Sequence, residues 1–330
     1  MKIMVYEARP DERADLEKQA ALHGVELSVT DAVPTLENAS LAAGCIGVSI
    51  LGQGCIDAAL LDAYHALGIR YLSTRTIGYD HIDLDHARSI GLRVCSASYA
   101  PNGVADFTVM MILMCLRHYK QALWRGQVND FSLTGLQGRE MKDLTIGIIG
   151  TGRIGAQVAR NLSGFGCRIL AYDLRRNPAV EPQVTYVDFD TLLAQSDVIT
   201  HMPLLDSNRH IINRESIAKM RDGVVIVNCS RGELADIEAL IEGIETGKIG
   251  ALGMDTVEGD EGIIHADHRV DILPNRNWFY LHQFRNVIMT QHMAFYTDAA
   301  VSSMVDCGIG GICQMAAGES CPTELTGPVQ

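Results

Sequence analysis

Short apolar runs alternate with amphipathic stretches along most of the chain. In the first hundred residues each apolar run predicts a strand, and two amphipathic stretches that end at Gly24 and Gly68 predict helices. The predicted strands span residues 2–6, 25–29, 45–50, 71–74 and 93–96, and the predicted helices span 11–23 and 57–67. Because strands that alternate with helices form parallel sheets with right-handed crossovers, we expect an α/β domain here.

The alternation resumes after a turn-rich break at residues 98–103, where we place a hinge. Residues 104–119 predict one long buried helix, and residues 127–142 predict a polar connection. Further strands are predicted at 145–149, 167–172, 185–187, 197–201, 224–228, 249–255 and 286–290, with helices at 189–194, 214–220 and 233–246. The stretch after Thr297 predicts a helix to about residue 314, which has no strand of its own and is expected to return to the first domain.

The predicted fold class is therefore α/β, with two Rossmann-like or flavodoxin-like parallel-sheet domains and a cleft between them. The first domain is expected to comprise residues 1–100 and 299–330, and the second is expected to comprise residues 101–298.

Composition narrows the kinds of protein that this chain can be. A length of 330 residues suffices for two domains with their own cores. The net charge of −13 argues against a nucleic-acid-binding face, which needs clustered positive charge. Nine cysteines without a C-x-x-C pair favour reduced thiols in a cytoplasm over disulfides or a zinc site. The most apolar run, residues 107–116, is about half as long as a membrane span, and the N-terminus is no secretory signal. We therefore expect a cytoplasmic protein without a membrane segment.

The most specific motif lies in residues 145–155. It combines a buried strand, a G-x-G-x-x-G turn and the start of a helix. In such a motif Gly150 makes the tight turn, Gly152 lets the backbone approach a pyrophosphate, and Gly155 lets the helix pack closely against the strand. Asp173 then ends the next predicted strand, where a carboxylate binds the ribose 2′-hydroxyl of a dinucleotide. The second domain is therefore predicted to bind a dinucleotide.

The same region indicates which dinucleotide is bound. The carboxylate of Asp173 would repel the 2′-phosphate of NADP, so NAD is the expected cofactor. Arg175 and Arg176 follow closely and could weaken that preference. A glycine-rich turn in some other α/β sheet is the alternative interpretation, and it does not explain an acidic residue at position 173.

Three polar groups follow later predicted strands, at the edge where open α/β sheets bind ligands. Arg231 lies in a glycine-flanked loop, where its guanidinium would hold a carboxylate side-on or form an ordinary surface salt bridge. The loop after Asp255 is acidic, either as a solvated loop or as the source of a carboxylate partner for a histidine. His292 leaves the last strand in an apolar context, as a core histidine or as a general acid/base that needs such a carboxylate. On local sequence alone both interpretations stay open for each group.

Taken together, the motifs resemble those of the D-isomer-specific 2-hydroxyacid dehydrogenases, close to the D-lactate dehydrogenases and including the type from vancomycin-resistance clusters. The matching segments are residues 74–83, 99–106, 150–155, 201–204, 228–232, 255–260 and 292–297. Their order and spacing cover nearly the whole chain. The resemblance implies a substrate domain first, an inserted NAD-binding domain and a returning terminal helix.

The resemblance also assigns expected roles to single residues. Arg231 matches the arginine that holds the substrate carboxylate and polarises the 2-oxo group, and His292 matches the acid/base that exchanges a proton with the 2-hydroxyl. Ile77 and Gly78 match backbone that binds the carboxylate, and Tyr99 is similar to a substrate-contacting tyrosine. Besides the three glycines and Arg231, the residues that match cofactor contacts are Arg153, Ile154, Asp173, Met202, Pro203, Asn208, Cys229, Ser230 and Asp255.

One position departs from the family pattern. The family has a glutamate five residues after the position of Asp255, and this chain has Asp260 there, with Glu261 beside it. Aspartate keeps the charge but is one methylene shorter, so either Asp260 pairs with His292 directly or Glu261 swings in. We favour Asp260, and we expect that carboxylate to orient His292 and to favour its charged form.

The expected function is NAD-dependent reduction of a 2-oxo acid, with pyruvate to D-lactate as the first candidate. Bulkier acids such as phenylpyruvate and 2-oxoisocaproate are the alternative, because Leu51, Gly52 and Gln53, which are expected to face the substrate side chain, do not separate them. A non-enzymatic NAD-responsive scaffold or corepressor is a further alternative from the same family. A homodimer is expected from the family, and no metal site is expected, because the spacing of the histidines matches no metal motif.

Overall fold

The structure is a computed structural model that describes residues 1–201, 208–273 and 275–327. The chain divides into two compact units, Met1–Ala100 with Tyr296–Gln330 and Pro101–Phe295. The return to the first unit therefore lies at Tyr296, a few residues before the boundary expected from the sequence.

The first unit is built on a parallel five-stranded sheet. Its elements within residues 1–100 are β1 (Lys2–Val5), α1 (Arg13–His23), β2 (Glu26–Val29), β3 (Gly47–Ile50), α2 (Ala58–Ala66), β4 (Tyr71–Thr74), α3 (Leu84–Ser89) and β5 (Arg93–Cys95). The strand order is β2-β1-β3-β4-β5, and every pairing is parallel. Val48, Ile50 and Leu72 pack in the core on one face of the sheet, and Ile3 and Val5 pack in the core on the other. Both faces are thus covered, as is usual for parallel sheets.

The second unit is built on a parallel seven-stranded sheet with the order β12-β11-β10-β9-β6-β7-β8. Its elements are α4 (Asn102–Leu116), α5 (Tyr119–Gln127), β6 (Thr145–Ile149), α6 (Arg153–Ser163), β7 (Arg168–Tyr172), β8 (Thr185–Tyr186), α7 (Phe189–Gln195), β9 (Val198–His201), α8 (Arg214–Lys219), β10 (Val224–Asn228), α9 (Ile237–Glu245), β11 (Ile249–Met254), α10 (Arg276–Gln283) and β12 (Val287–Met289). The prediction of two parallel-sheet α/β domains is confirmed.

Several local predictions were wrong. The helix expected at 104–119 is α4, which ends at Leu116, and an unexpected second helix, α5, follows after His118, whose φ of 50° is left-handed. Helices α3 and α10 were not expected. Each begins at a side-chain cap, Asp83 for α3 and Asn275 for α10. Neither helix is long enough to give a clear periodic pattern of apolar residues.

The last helix, α11 (Asp298–Ala316), packs within the first unit. Ile309 and Ile312 lie in the core with Ile3 and Val5. Among the described residues, α11 is the only helix long and apolar enough to cross a membrane by length and composition, a test that a core helix also passes. More than half of its most apolar window is buried. The sequence-based expectation that no segment reaches that length overlooked this helix.

Candidate active site

The turn after β6 has the shape that a dinucleotide requires. Gly150 has a φ of 93°, which favours glycine. A Cβ on Gly155 would lie 2.0 Å from the carbonyl oxygen of Gly150, so only glycine lets α6 start this close to the strand. A Cβ on Gly152 would meet nothing within 4 Å, which leaves space in front of the first N–H groups of α6. This space and the positive end of the helix dipole together fit a pyrophosphate.

Asp173 follows β7 and faces this turn. Its Oδ2 accepts hydrogen bonds from the Thr151 backbone N–H (2.6 Å) and hydroxyl (3.0 Å), and its Oδ1 accepts one from the Arg175 N–H (2.9 Å). Burial acts to raise the pKa of Asp173, but these hydrogen bonds outweigh it and the pKa is lowered. Asp173 is therefore an ionised acceptor at the end of β7.

Arg231 follows β10 in a loop with its own internal hydrogen bonds. Asn228, fully buried at the end of β10, accepts from the Ser230 N–H (3.0 Å) and donates to the Arg231 carbonyl (2.7 Å). The Arg231 side chain is half-buried, and its Nη1 donates to the Ser230 carbonyl (2.9 Å). A Cβ on Gly232 would lie 2.3 Å from the carbonyl carbon of Val257, so glycine lets the loop after β10 press against the loop after β11.

Asp255 directly follows β11 and forms hydrogen bonds with the end of β10 and with the loop that contains His292. Its carboxylate, 1% exposed, accepts from the Thr290 hydroxyl (2.5 Å) and from the backbone N–H groups of Met293 (2.9 Å) and Ala294 (2.8 Å). Its own N–H donates to the Asn228 carbonyl (2.8 Å). These bonds hold the backbone on both sides of His292, whose φ of 53° lies in the left-handed region. Asp255 therefore fixes the loop that presents His292.

The electrostatic surroundings of His292 favour its neutral form. Burial is the largest cause that lowers its pKa, to about 4; the negative charge of Asp255 opposes this, and the charges of Arg231 and His265 add to it. The imidazole lies 6.0 Å from the His265 ring and 6.3 Å from the Phe295 ring, measured between centroids. Arg231 and His292 are thus electrostatic neighbours, as the sequence led us to expect. His265 beside them was not expected, because nothing in its spacing marks it.

Asp260 does not contact His292 in the way expected. Its Oδ2 accepts from the Val257 N–H (3.1 Å), and burial, with smaller contributions from Glu261 and other acids, raises its pKa to about 6. Within the described parts of the chain, no hydrogen bond joins either Asp260 or the exposed Glu261 to the His292 ring. Asp255 is the carboxylate whose charge raises the pKa of His292. The predicted Asp260–His292 pair is absent from this conformation, so the role of Asp260 stays a prediction.

Four of the remaining predicted cofactor contacts follow the carboxyl ends of β6 and β10. Arg153 and Ile154 form the first turn of α6, and Cys229 and Ser230 follow β10. Burial raises the pKa of the Cys229 thiol, so it stays protonated. Asn208 accepts a hydrogen bond from the Ile211 N–H through its carbonyl. Met202 and Pro203 fall outside the described residues.

The predicted substrate contacts of the first unit follow β4 and β5. Ile77 is exposed, and Gly78 accepts a hydrogen bond from the Thr76 hydroxyl through its carbonyl (2.6 Å). Tyr99 is half-buried after β5. Their roles are taken up below as proposals.

The second unit thus has the fold and the glycine turn of a dinucleotide-dependent oxidoreductase. Residues 109–294 match the family model described as D-isomer specific 2-hydroxyacid dehydrogenase, NAD binding domain. The chain belongs to the D-isomer specific 2-hydroxyacid dehydrogenase family. It is therefore an NAD-dependent oxidoreductase that acts on 2-hydroxy acids.

Three individual relatives cover almost the whole chain. An aromatic 2-oxoacid reductase of Clostridium sporogenes is 42% identical over 311 residues, which is 93% of each chain. The structure of the pyruvate reductase of Chlamydomonas reinhardtii superposes with a TM-score of 0.91 at 33% identity, covering 98% of both chains. The NAD complex of a D-isomer specific 2-hydroxyacid dehydrogenase from Lactobacillus delbrueckii gives a TM-score of 0.85 at 29% identity, covering 98% of this chain and 100% of that one.

Proposed function

We propose that this protein reduces a 2-oxo acid to the D-2-hydroxy acid, with Arg231 as the substrate anchor and His292 as the proton donor. The observation that carries the proposal is made at Asp255, whose carboxylate binds the His292 loop and whose N–H binds the Asn228 carbonyl at the strand end that carries Arg231. Bound NADH supplies the hydride; the protein supplies orientation and a proton. We propose Ile77, Gly78 and Tyr99 as further substrate contacts, and Asp260 as a second acid near the histidine.

The electrostatics of the site suggest how the proton arrives. Without substrate, the positive charge of Arg231 helps to keep His292 neutral. A substrate carboxylate paired with the guanidinium would cancel that charge and so raise the pKa of His292. The imidazole would then take up a proton as the 2-oxo acid binds and donate it to the carbonyl oxygen as the alcohol forms.

We propose an aromatic 2-oxo acid as the preferred substrate and pyruvate as the second candidate. The support for the first is the 42% identity to an aromatic 2-oxoacid reductase, and the support for the second is the 33% identity to a pyruvate reductase. The sequence alone had placed pyruvate first.

The test is a set of NADH-oxidation assays with phenylpyruvate, 2-oxoisocaproate and pyruvate, with chiral analysis of each product. We expect D-products and the highest kcat/KM for phenylpyruvate. A higher kcat/KM for pyruvate would reverse the substrate order. NADH binding without turnover of any 2-oxo acid would instead favour the scaffold or corepressor role.

A cytoplasmic location and a homodimer remain part of the proposal, and light scattering would test the dimer.

A further inference from the structure

Glu7 follows β1, and its carboxylate lies inside the first unit with 3% of the residue exposed. It accepts hydrogen bonds from four consecutive backbone N–H groups in the loop after β3. Oε2 accepts from the N–H of Leu51 and, at 2.9 Å, from the N–H of Gly52. Oε1 accepts from the N–H groups of Gln53 (2.8 Å) and Gly54 (3.1 Å). One buried side chain thus holds the whole of loop 51–54.

The backbone of Glu7 is itself firmly held. Its φ is 54°, and its N–H donates to the Ala32 carbonyl (3.1 Å). Nη2 of Arg75 donates to the carbonyls of Tyr6 (2.9 Å) and Glu7 (3.3 Å). Arg75 is in turn paired with Glu12 at 2.9 Å, and both side chains are fully buried. Glu7 therefore projects from a rigid base.

Loop 51–54 lies where this sheet is expected to bind a ligand. The strand order reverses between β1 and β3, and open α/β sheets bind ligands at the carboxyl ends of the strands beside such a reversal. A Cβ on Gly52 would lie 2.9 Å from the His81 ring, so the loop fits between that ring and Glu7. Ile77 and Gly78 follow β4, the strand next to β3.

We infer that Glu7 is a positioning residue that shapes loop 51–54 and thereby sets the selectivity for the substrate side chain. The selectivity part rests on the proposed 2-oxo acid reduction. Without the carboxylate, four neighbouring N–H groups lose a shared charged acceptor, and the loop loses the bonds that define its conformation. Arg231 and His292 belong to other loops of the second unit, so the effect should fall on KM and on the ratio between substrates.

The experiment compares wild type with Glu7→Gln. Glutamine has the same size but turns an NH2 group towards two of the four N–H donors. We expect hydrogen exchange of the amides at 51–54 to accelerate by about tenfold or more, since hydrogen bonds to charged groups are the stronger ones. We also expect the kcat/KM ratio of phenylpyruvate to pyruvate to change by about fivefold, mainly through KM, with the KM for NADH unchanged.

The matched control is Asp57→Asn, at the start of α2. Asp57 caps that helix by accepting from the Leu60 N–H at 2.9 Å, and asparagine caps equally well. The control removes a nearby negative charge without touching the amides of 51–54, so exchange and selectivity should match wild type. If Glu7→Gln does not fold, Glu7→Asp keeps the charge with a shorter reach and should show the same changes to a smaller degree.

Unchanged exchange at 51–54 in the folded Glu7 variants would overturn the positioning role. Faster exchange with an unchanged substrate ratio would overturn the selectivity role. A wild-type protein that reduces no 2-oxo acid would overturn the proposed function and the selectivity role with it. The exchange experiment needs no turnover, so it separates that failure from a failure of the positioning role.

Discussion

In the second unit, the turn after β6 leaves open space at Gly152, in front of the first N–H groups of α6. In the first unit, the N–H groups of loop 51–54 are already bonded to the protein's own anion, the carboxylate of Glu7. Both loops follow parallel strands of an α/β sheet. We expect the open turn of the second unit to take the phosphates of a cofactor, whereas in the first unit an internal carboxylate gives the loop a fixed shape.

This difference indicates that the loops of the two units have different roles. The loops of the second unit carry the guanidinium of Arg231 and the imidazole of His292, which we propose bind and protonate the substrate. The loop held by Glu7 offers backbone and the side chains of Leu51 and Gln53, and its donors are no longer available to an anion. We therefore expect changes in the second unit to alter turnover or cofactor affinity, and changes around Glu7 to alter the choice among substrates.

The largest effect is expected from His292→Gln, which removes the proposed proton donor. We predict a fall of about 10²–10⁴ in kcat for 2-oxo acid reduction, the usual contribution of a positioned general acid. The dissociation constant for NADH, measured by fluorescence titration, should stay close to that of wild type. His282→Gln, at an exposed position of α10, is the control and should leave kcat unchanged. Retention of most of the wild-type kcat by His292→Gln would remove this residue from the proton-transfer step.

A smaller effect is expected from the glycines of the cofactor turn, and the two variants should differ in kind. Gly152→Ala adds a methyl group where the protein has nothing within 4 Å, so the fold should persist while NADH binds about tenfold or more weakly. Gly155→Ala places a methyl group 2.0 Å from the Gly150 carbonyl oxygen, so it should lower the melting temperature as well. Fluorescence titration and thermal unfolding of both variants distinguish these outcomes. Equal NADH affinity in wild type and Gly152→Ala would contradict an open phosphate site.

The contrast between the two loops also shows how far sequence reasoning reaches. Gly150, Gly152, Gly155 and Asp173 could be predicted because the turn and the ligand require each of them at a fixed spacing. The parallel sheets were found because buried strands leave continuous apolar runs. Glu7 was missed because its partners lie more than forty positions away along the chain. Those partners are backbone N–H groups, which almost every residue type has, so the sequence does not mark them.

The break at His118 and the geometry around His292 were missed for a related reason. Both histidines have a left-handed φ, which is uncommon outside glycine and which no local sequence pattern predicts. Asp255 was assigned to the cofactor from the family motif, while its hydrogen bonds to the His292 loop became visible only in three dimensions.

The smallest expected effect concerns stability against pH, and it tests the two titrating groups of the second unit without any substrate. His292 has a pKa of about 4 in the folded protein and an ordinary value of 6.5, so its contribution to stability is complete above pH 6.5 and is lost as the pH falls through about 4. Asp260 has a pKa of about 6 against an ordinary 3.8, so its contribution is complete below pH 3.8 and is lost as the pH rises through about 6. The two contributions oppose each other between about pH 4 and 6.

Single variants should separate the two opposing contributions to the pH dependence of stability. From pH 4 to 6.5, the stability difference between wild type and His292→Gln should shift in favour of wild type as the pH rises. From pH 4 to 6, the difference between wild type and Asp260→Asn should shift in favour of the variant, because the charged form of a buried Asp260 is the destabilising one. Urea unfolding of the three proteins across this range gives both differences. The charges that act on His292 come from Asp255, Arg231 and His265, so we expect the double variant to be additive; strong non-additivity would mean that Asp260 and His292 titrate as the pair that the family pattern implies.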